Sequence, residues 1–201
     1  MTNIFKKFRS DQSTNSWTNT SIIDLILEKA INQTRLLVLN YSMNPNNPIF
    51  AHQIELILRL SEFFSEITVI TADYHGEKLP KNVRVERYDW VQGNPLRSTF
   101  NFYSKFLKLM TNSNFDLVFS HMVDTQALLA SPILKLKRLP HIFWYAHAKK
   151  SIRGWIATNL SDQNITSTKG SYPYDKSKVK FLGQSIDVNN FRYVERKNFP
   201  L

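Results

Sequence analysis

The chain has 201 residues, of which 42% are hydrophobic and 13% aromatic, so it suits one globular domain and lacks the composition of a disordered protein. The absence of cysteine excludes disulfide frameworks, thiolate metal sites and cysteine nucleophiles. The formal charge of +10 predicts attraction to an anionic partner: nucleic acid, an acidic membrane leaflet or a phosphorylated substrate. No apolar run approaches the ~20 residues that span a bilayer, and the amino terminus has no uninterrupted apolar core of a signal peptide. We therefore expect a cytoplasmic protein.

The chain divides into a polar extension and a long alternating region. Residues 1–34 are expected to be flexible, apart from a short helix that apolar residues at helical spacing predict from Ser21. The predicted strands after it are 35–41, 66–72, 83–88, 116–120, 141–146, 163–168 and 179–183, and the predicted helices are 51–64, 96–110, 125–139 (kinked at Pro132) and 151–161. Strands separated by helices predict right-handed βαβ units. The expected fold class is α/β: a Rossmann-like, doubly wound, mostly parallel sheet of about seven strands with helices on both faces.

Two helices carry specific local predictions. Pro48 suits the first position of the helix after the first strand, and Asn47 suits its cap. In the stretch 96–110, one face at helical spacing predicts a stripe that packs on the core, formed by Phe100, Tyr103, Phe106, Leu107 and Met110. Because Arg97, Lys105 and Lys108 share this stretch, contact with an anionic membrane or with nucleic acid stays open as an alternative, nucleic acid being the less favoured.

The expected ligand site is the edge of the sheet at the carboxyl ends of the strands, near the point where strand order reverses. Polar residues follow several predicted strands there: residues 40–47, residues 73–75, His121, His147 and residues 167–169. A single histidine at such a position is usually an ordinary hydrogen-bonded loop residue. Two histidines on one rim shift the interpretation toward a site for a polar ligand.

Several other classes of site are excluded by missing motifs. The loop after the first strand, SMNPNNP, has no glycine, so it matches neither the dinucleotide fingerprint nor the P-loop, in which the backbone must approach phosphates closely. The sequence has no G-x-S-x-G elbow for an α/β-hydrolase nucleophile. It has no H-x-x-x-H pair and no Asp-x-Asp pair, so neither a zinc site nor an acidic metal clamp is expected.

An ordered set of short motifs resembles the amino-terminal domain of family-4 glycosyltransferases, which have the GT-B fold. NPNNPIFAHQIELILRLSEFFSEITVIT resembles the first loop, a helix with an early His-Gln, and the second strand. DLVFSHM and HIFWYAH resemble the fourth and fifth strands, each with its histidine. DQNITSTKGSYP resembles the sixth strand and its Ser-Thr loop, and KVKFLGQSIDVNNF resembles the crossover between domains. The set runs from about Arg35 to Phe191.

The resemblance implies retaining glycosyl transfer from a nucleotide sugar, which acts as a co-substrate, with no metal or other cofactor. By position, His121 matches the family histidine beside the reacting sugar and is the expected catalytic residue. The residues expected to bind the acceptor are Asn44, Asn47, His147 and Thr168. The interdomain hinge falls at Gly183 and Asp187. Positioned hydrogen-bond donors of this kind suit an oxocarbenium-like transition state.

On this interpretation, residues 35–191 form the GT-B amino-terminal domain, and residues 192–201 begin a linker to a donor domain that the 201 residues do not include. The chain departs from the family in its first loop, where paired glycines are common, and at Ser185, where many members have glycine. We expect an acceptor-binding half-enzyme that is inactive without a donor-binding domain or subunit.

Other expected partners are a polysaccharide or lipid-linked acceptor and, peripherally, the anionic inner face of a membrane. Two alternatives stay open: a non-catalytic module that binds acceptor or lipid, and a basic α/β domain that binds nucleic acid.

Overall fold

Strands and helices alternate along the chain in the computed structural model, which describes residues 33–175 and 177–183. The strands are β1 (Arg35–Leu39), β2 (Glu66–Thr71), β3 (Val83–Arg87), β4 (Leu117–His121), β5 (His141–Trp144), β6 (Gln163–Thr166) and β7 (Val179–Phe181). The helices are α1 (His52–Leu60), α2 (Pro95–Asn112), α3 (Asp124–Leu136) and α4 (Ile152–Leu160), and a short 3₁₀ helix spans Lys169–Ser171.

The 7-stranded sheet confirms the predicted fold class. All of its strands are parallel, in the order β3-β2-β1-β4-β5-β6-β7. The chain builds outward from β1 in one direction and from β4 in the other, so strand order reverses between these two neighbours. Their register pairs Leu39 with Ser120. The switch point, where sheets of this kind bind ligands, therefore lies at the carboxyl ends of β1 and β4.

The core lies on both faces of the central strands, because β1, β2 and β4 are almost entirely buried. Side chains alternate along a strand. Leu37 and Leu39 of β1 thus pack with α2 and α3, whereas Leu36 packs on the opposite face with Ile57 of α1. A further cluster joins α3 and α4 and contains Ala127, Phe143, Ala157 and Tyr172. Helices cover both faces as predicted, with α1 on one face and α2, α3 and α4 on the other.

The regular part of α1 begins at His52, so the prediction that Pro48 occupies the first helical position is wrong. The Oδ1 atom of Asn47 does accept the N–H groups of Ile49 at 3.0 Å and Phe50 at 2.9 Å, as a capping side chain would. However, the N–H of Gln53 donates to the carbonyl of Phe50, three residues back, at 2.9 Å. The residues after Pro48 therefore form turns, and the α-helical hydrogen-bond ladder starts beyond them.

The buried face of α2 matches the prediction only in part: Phe106 and Met110 are buried and Tyr103 packs on the core, but the prediction is wrong for Phe100 and Leu107. Phe100 is 73% exposed and Leu107 is 45% exposed, whereas Phe102 and Phe106 are buried and stack with their ring centroids 5.4 Å apart. The full buried set is Ser98, Phe102, Phe106, Leu109 and Met110. The helix carries apolar residues on two separate stripes, and only one of them packs on the sheet.

The other elements agree with the predicted bounds to within three residues at each end. Strands β5 and β6 end earlier than predicted, at Trp144 and Thr166, because the chain leaves the sheet there to form the loops of the carboxyl rim. Helix α3 continues through Pro132 to Leu136. The proline ring removes one backbone donor but lies on the exposed side of the helix, where water can satisfy the carbonyl that loses its partner.

Candidate functional site

His121 lies at the switch point, as the last residue of β4. Its side chain is buried, with only 5% of the residue exposed. The ring lies among other rings, with centroid distances of 5.8 Å to Phe119, 5.7 Å to Trp144 and 5.6 Å to His52. Burial among rings fixes the position of the imidazole more firmly than a surface loop would.

Gln53 of α1 assigns the tautomer of His121. The Oε1 atom of Gln53 accepts the backbone N–H groups of Tyr41 at 3.3 Å and Ser42 at 3.0 Å, so its amide orientation is set. Its Nε2 atom lies 3.2 Å from Nδ1 of His121 and must be the donor of that contact. Nδ1 of His121 is therefore the acceptor, and the ring proton resides on Nε2.

The imidazole of His121 is neutral at physiological pH. Burial, followed by the nearby ring of His52, lowers its pKa from 6.5 to about 3. A neutral ring with its proton on Nε2 presents one N–H donor. Its basic nitrogen is already occupied by Gln53, so His121 is a poor general base.

The loop after β1 is organised around Asp73, which follows β2. Oδ2 of Asp73 accepts from the Ser42 hydroxyl at 2.8 Å and from the Asn47 side-chain amide at 3.0 Å. His75 pairs with the other carboxylate oxygen at 3.0 Å. Burial alone would raise the pKa of Asp73, but hydrogen bonds from Asn47, Ser42 and Asn44 and the charge of His75 hold this pKa below its usual value. The carboxylate is thus ionised and ties the first two rim loops together.

The two asparagines predicted to bind acceptor take part in this loop. The Nδ2 atom of Asn47 donates a hydrogen bond to Asp73, and its Oδ1 atom accepts the N–H groups of Ile49 and Phe50 in the following turn. Oδ1 of Asn44 accepts the N–H of Asn46 at 2.9 Å, and its backbone N–H donates to the hydroxyl of Ser42 at 3.1 Å. Both side chains therefore shape the loop that borders His121.

His147 and Thr168 lie on neighbouring rim loops and are exposed. Nδ1 of His147 accepts the N–H of Lys149 at 3.1 Å, and the ring lies 6.4 Å from that of Tyr145. Thr168 precedes the 3₁₀ helix, and its hydroxyl donates to the hydroxyl of Ser171 at 3.1 Å. These two residues share the rim with His121, but within the described residues no hydrogen bond joins either of them to it.

Gly183, the predicted hinge residue, ends the described part of the chain. Its φ of 84° is in the region that favours glycine, and its N–H donates to the carbonyl of Ser167 at 3.0 Å. The other predicted hinge residue, Asp187, lies outside the described residues.

A shallow groove of about 530 Å³ opens at the same rim, beside the start of α4. Its lining mixes apolar side chains with charged ones: Ile152 and Trp155, which are 80% and 57% exposed, lie beside Lys150 and Asp175. Tyr174 forms part of its wall and packs against Tyr145, with ring centroids 5.2 Å apart. Flat apolar surfaces next to charged groups suit a ligand with both apolar faces and hydroxyl groups.

Gln53 is a site residue that the sequence patterns did not predict. Its signal is a polar residue on the buried face of an amphipathic helix, one turn before Ile57, which indicates a buried hydrogen bond. No pattern in the sequence indicates the groove beside α4, because the exposure of Trp155 depends on how α4 packs on the rest of the domain.

The part of the chain that the structure describes contains no cluster of three or more histidine, aspartate or glutamate residues that would hold a metal ion. The same residues include no helix with the length and apolar character needed to cross a membrane. Metal independence stays a prediction.

Solved structures with this fold include nucleotide-sugar enzymes. The UDP-GlcNAc 2-epimerase of Methanocaldococcus jannaschii is 11% identical with a TM-score of 0.53, over 73% of this chain and 45% of that one. The Neisseria meningitidis UDP-GlcNAc 2-epimerase bound to UDP-GlcNAc is 15% identical with a TM-score of 0.52, over 73% and 45%. Anabaena HepE in complex with UDP-glucose is 13% identical with a TM-score of 0.52, over 78% and 45%. No family model and no curated protein sequence matches the chain.

At these identities the likeness establishes the fold alone. The chain spans less than half the length of the structures that it matches. It has the α/β, Rossmann-like fold of a domain found in GT-B nucleotide-sugar proteins.

Proposed function

We propose that this chain is the acceptor-binding half of a retaining glycosyltransferase, which moves a sugar from a nucleotide-sugar donor to a polysaccharide or glycolipid acceptor. The observation that carries the proposal is His121 at the switch point, neutral and oriented by Gln53 with its proton on Nε2. The ordered motifs that resemble family-4 glycosyltransferases and the GT-B type of fold support the same assignment.

A neutral donor suits the chemistry of retaining transfer. The bond from the sugar C1 to the departing phosphate breaks, the acceptor oxygen bonds to C1, and the proton of the acceptor hydroxyl passes to the departing phosphate oxygen. Positive charge develops on the sugar in the transition state. An imidazolium about 5 Å from that charge would oppose it by about 3 kcal/mol at an effective dielectric constant of 20. Burial keeps His121 uncharged, so its Nε2–H can hold a sugar oxygen without this penalty.

The acceptor would lie along the carboxyl rim. Exposed His147 and Thr168 would contact it directly, whereas Asn44 and Asn47 would act through the shape of the first loop. The groove beside Trp155 would hold the apolar face of a saccharide. A second domain or subunit would bind the donor nucleotide, because the sugar nucleotide binds to the second domain in the family-4 glycosyltransferases that this chain resembles.

The test begins with the reading frame after residue 201 and with neighbouring genes. By the resemblance to family-4 glycosyltransferases, a second βαβ domain with an E-x7-E motif is expected there. The complete two-domain protein, or the two subunits together, is then assayed for transfer from UDP- and GDP-sugars. His121→Ala should lower kcat by about 10²-fold, as loss of a transition-state donor does. His141→Gln is the matched control. His141 is also buried, but it is the first residue of β5 and so lies at the amino-terminal ends of the strands, away from the carboxyl rim.

Undiminished turnover in His121→Ala would refute the assigned site. Acceptor binding without turnover of any nucleotide sugar would instead support the non-catalytic module.

A further inference from the structure

Helix α2 has an apolar stripe that faces solvent. Leu96 is 82% exposed, Phe100 is 73% exposed and Leu107 is 45% exposed. Their spacing of four and seven residues puts them on one line along the helix. Tyr103 borders this line but belongs to the packed side, because its ring packs on the core and its hydroxyl donates to the carbonyl of Leu129. This stripe is distinct from the face that packs on the sheet, so the residues that would cover it do not come from the described part of this domain.

Positive charge accompanies the stripe. Arg97 and Lys108 each follow a stripe residue by one position, so both lie about 100° round the helix axis on the same side. Neither forms an ion pair within the described residues, whereas Lys105 pairs with Glu86 at 3.1 Å. Helix α2 contains no acidic residue, and the whole chain carries a formal charge of +10.

An aromatic side chain of the interfacial type lies just before the helix. Trp90 is 41% exposed in the loop that leads from β3 to α2. Tryptophan is enriched at the depth of lipid headgroups, because its ring is apolar and its N–H needs a polar partner.

We propose that α2 docks on an anionic membrane surface. Leu96, Phe100 and Leu107 enter the boundary between headgroups and acyl chains, and Arg97 and Lys108 contact anionic phospholipids. The proposal rests on the exposure and charge of this helix and does not depend on the proposed sugar transfer.

The charge pattern favours a membrane over the other candidate occupants. In a two-fold dimer through this single helix, the unpaired cations of both copies would be brought close together, which opposes association. Nucleic acid would pair with the cations, but its phosphates would then lie against the apolar side chains of the stripe, which is unfavourable. An anionic bilayer satisfies both the apolar stripe and the charges beside it.

The test is co-sedimentation of the whole chain with vesicles of phosphatidylcholine alone and of phosphatidylcholine with about 30% phosphatidylglycerol. Binding to the anionic vesicles is expected, and it should weaken as salt is raised. The variant Leu96→Ser/Phe100→Ser/Leu107→Ser should bind at least about ten-fold more weakly. Arg97→Gln and Lys108→Gln should each weaken binding about five-fold.

Two matched controls lie elsewhere on the surface. Ile49→Ser removes an apolar side chain that is 70% exposed in the loop before α1, and Lys81→Gln removes an exposed cation before β3. Both should bind like the wild type. Because all substituted side chains are exposed, thermal unfolding followed by circular dichroism should verify that each variant is folded.

The proposal is overturned if wild type does not bind anionic vesicles, or if the stripe variant binds them as well as wild type. It is also overturned if analytical ultracentrifugation finds self-association that the stripe variant abolishes while vesicle binding is unchanged.

Discussion

Because His121 and His141 are buried, we expect the free energy of unfolding to fall as the pH is lowered from 7 to 5. Burial lowers the pKa of His121 to about 3, and His52 adds to this effect. Burial likewise lowers the pKa of His141 to about 4, with Asp162 opposing the shift and Lys135 adding to it. Both side chains are therefore uncharged in the native state across this range, whereas in the unfolded chain they titrate near 6.5.

The sign and size of the effect follow from proton linkage. Below pH 6.5 the unfolded state binds a proton at each histidine that the native state does not bind, so the free energy of unfolding falls with pH. Each histidine contributes a slope of about 1.4 kcal/mol per pH unit once its unfolded form is fully protonated. Integrated between pH 7 and pH 5, the two together cost about 4 kcal/mol. This is a large part of the 5–15 kcal/mol that a domain typically has.

Urea unfolding at pH 7, 6 and 5, followed by circular dichroism, measures this change. The carboxylates with lowered pKa, Asp73 and Glu86, lose their contribution only as the unfolded forms protonate near 3.8 and 4.5, so most of their effect lies below this window. His121→Gln and His141→Gln each retain a polar partner, from Gln53 and Ser120 respectively, and each should remove about half of the pH dependence.

The control is His147→Gln, which removes an exposed histidine and should leave the slope as in wild type. A wild-type loss below about 1 kcal/mol between pH 7 and pH 5 would refute the linkage argument and with it the neutral His121 on which the proposed site depends. Equal slopes in all three variants would contradict it as well, because the two buried histidines would then contribute no more than the exposed one.

Two further substitutions test local geometry. Gln53→Glu replaces the donor of His121 with an acceptor, so the ring proton should move to Nδ1 and the pKa of His121 should rise above its wild-type value, both measurable by nitrogen-15 NMR of the imidazole. Gly154→Ala would push a Cβ into the hydroxyl of Tyr174 and to 2.9 Å from Oγ of Ser151, so it should cost about 1–3 kcal/mol by urea unfolding. The double variant with Tyr174→Phe should cost less than the sum of the two, whereas Gly170→Ala, with open space around it, should change little.

The central sheet was predictable because its signal is local. Near-continuous apolar runs such as RLLVL and LVFSH belong to strands buried on both faces, and their alternation with helical stretches leaves few topologies. The position of His121 at the rim followed from the same pattern, since it directly ends such a run.

The buried face of α2 was not predictable from periodicity alone. With Phe100, Phe102, Phe106 and Leu107 on one helix, the sequence offers two apolar stripes. Which of them packs on the sheet depends on how the helix is rotated about its axis, and that rotation is fixed by long-range contacts such as the hydrogen bond from Tyr103 to the carbonyl of Leu129 at 2.8 Å. The contact between Gln53 and His121 is equally non-local, because 68 positions separate its partners.

The loop after β1 explains how the rim is built without glycine, and it constrains the proposed mechanism. Its amides are used internally: the N–H groups of Asn44 and Asn46 donate to side-chain oxygens within the loop, and those of Ile49 and Phe50 donate to Asn47. The ionised Asp73 lies beside them. A diphosphate would therefore find few free donors at this loop and would be repelled by the carboxylate. If sugar transfer occurs here, the charge of the departing phosphate has to be balanced from the donor side, while this half contributes His121 and the acceptor surface.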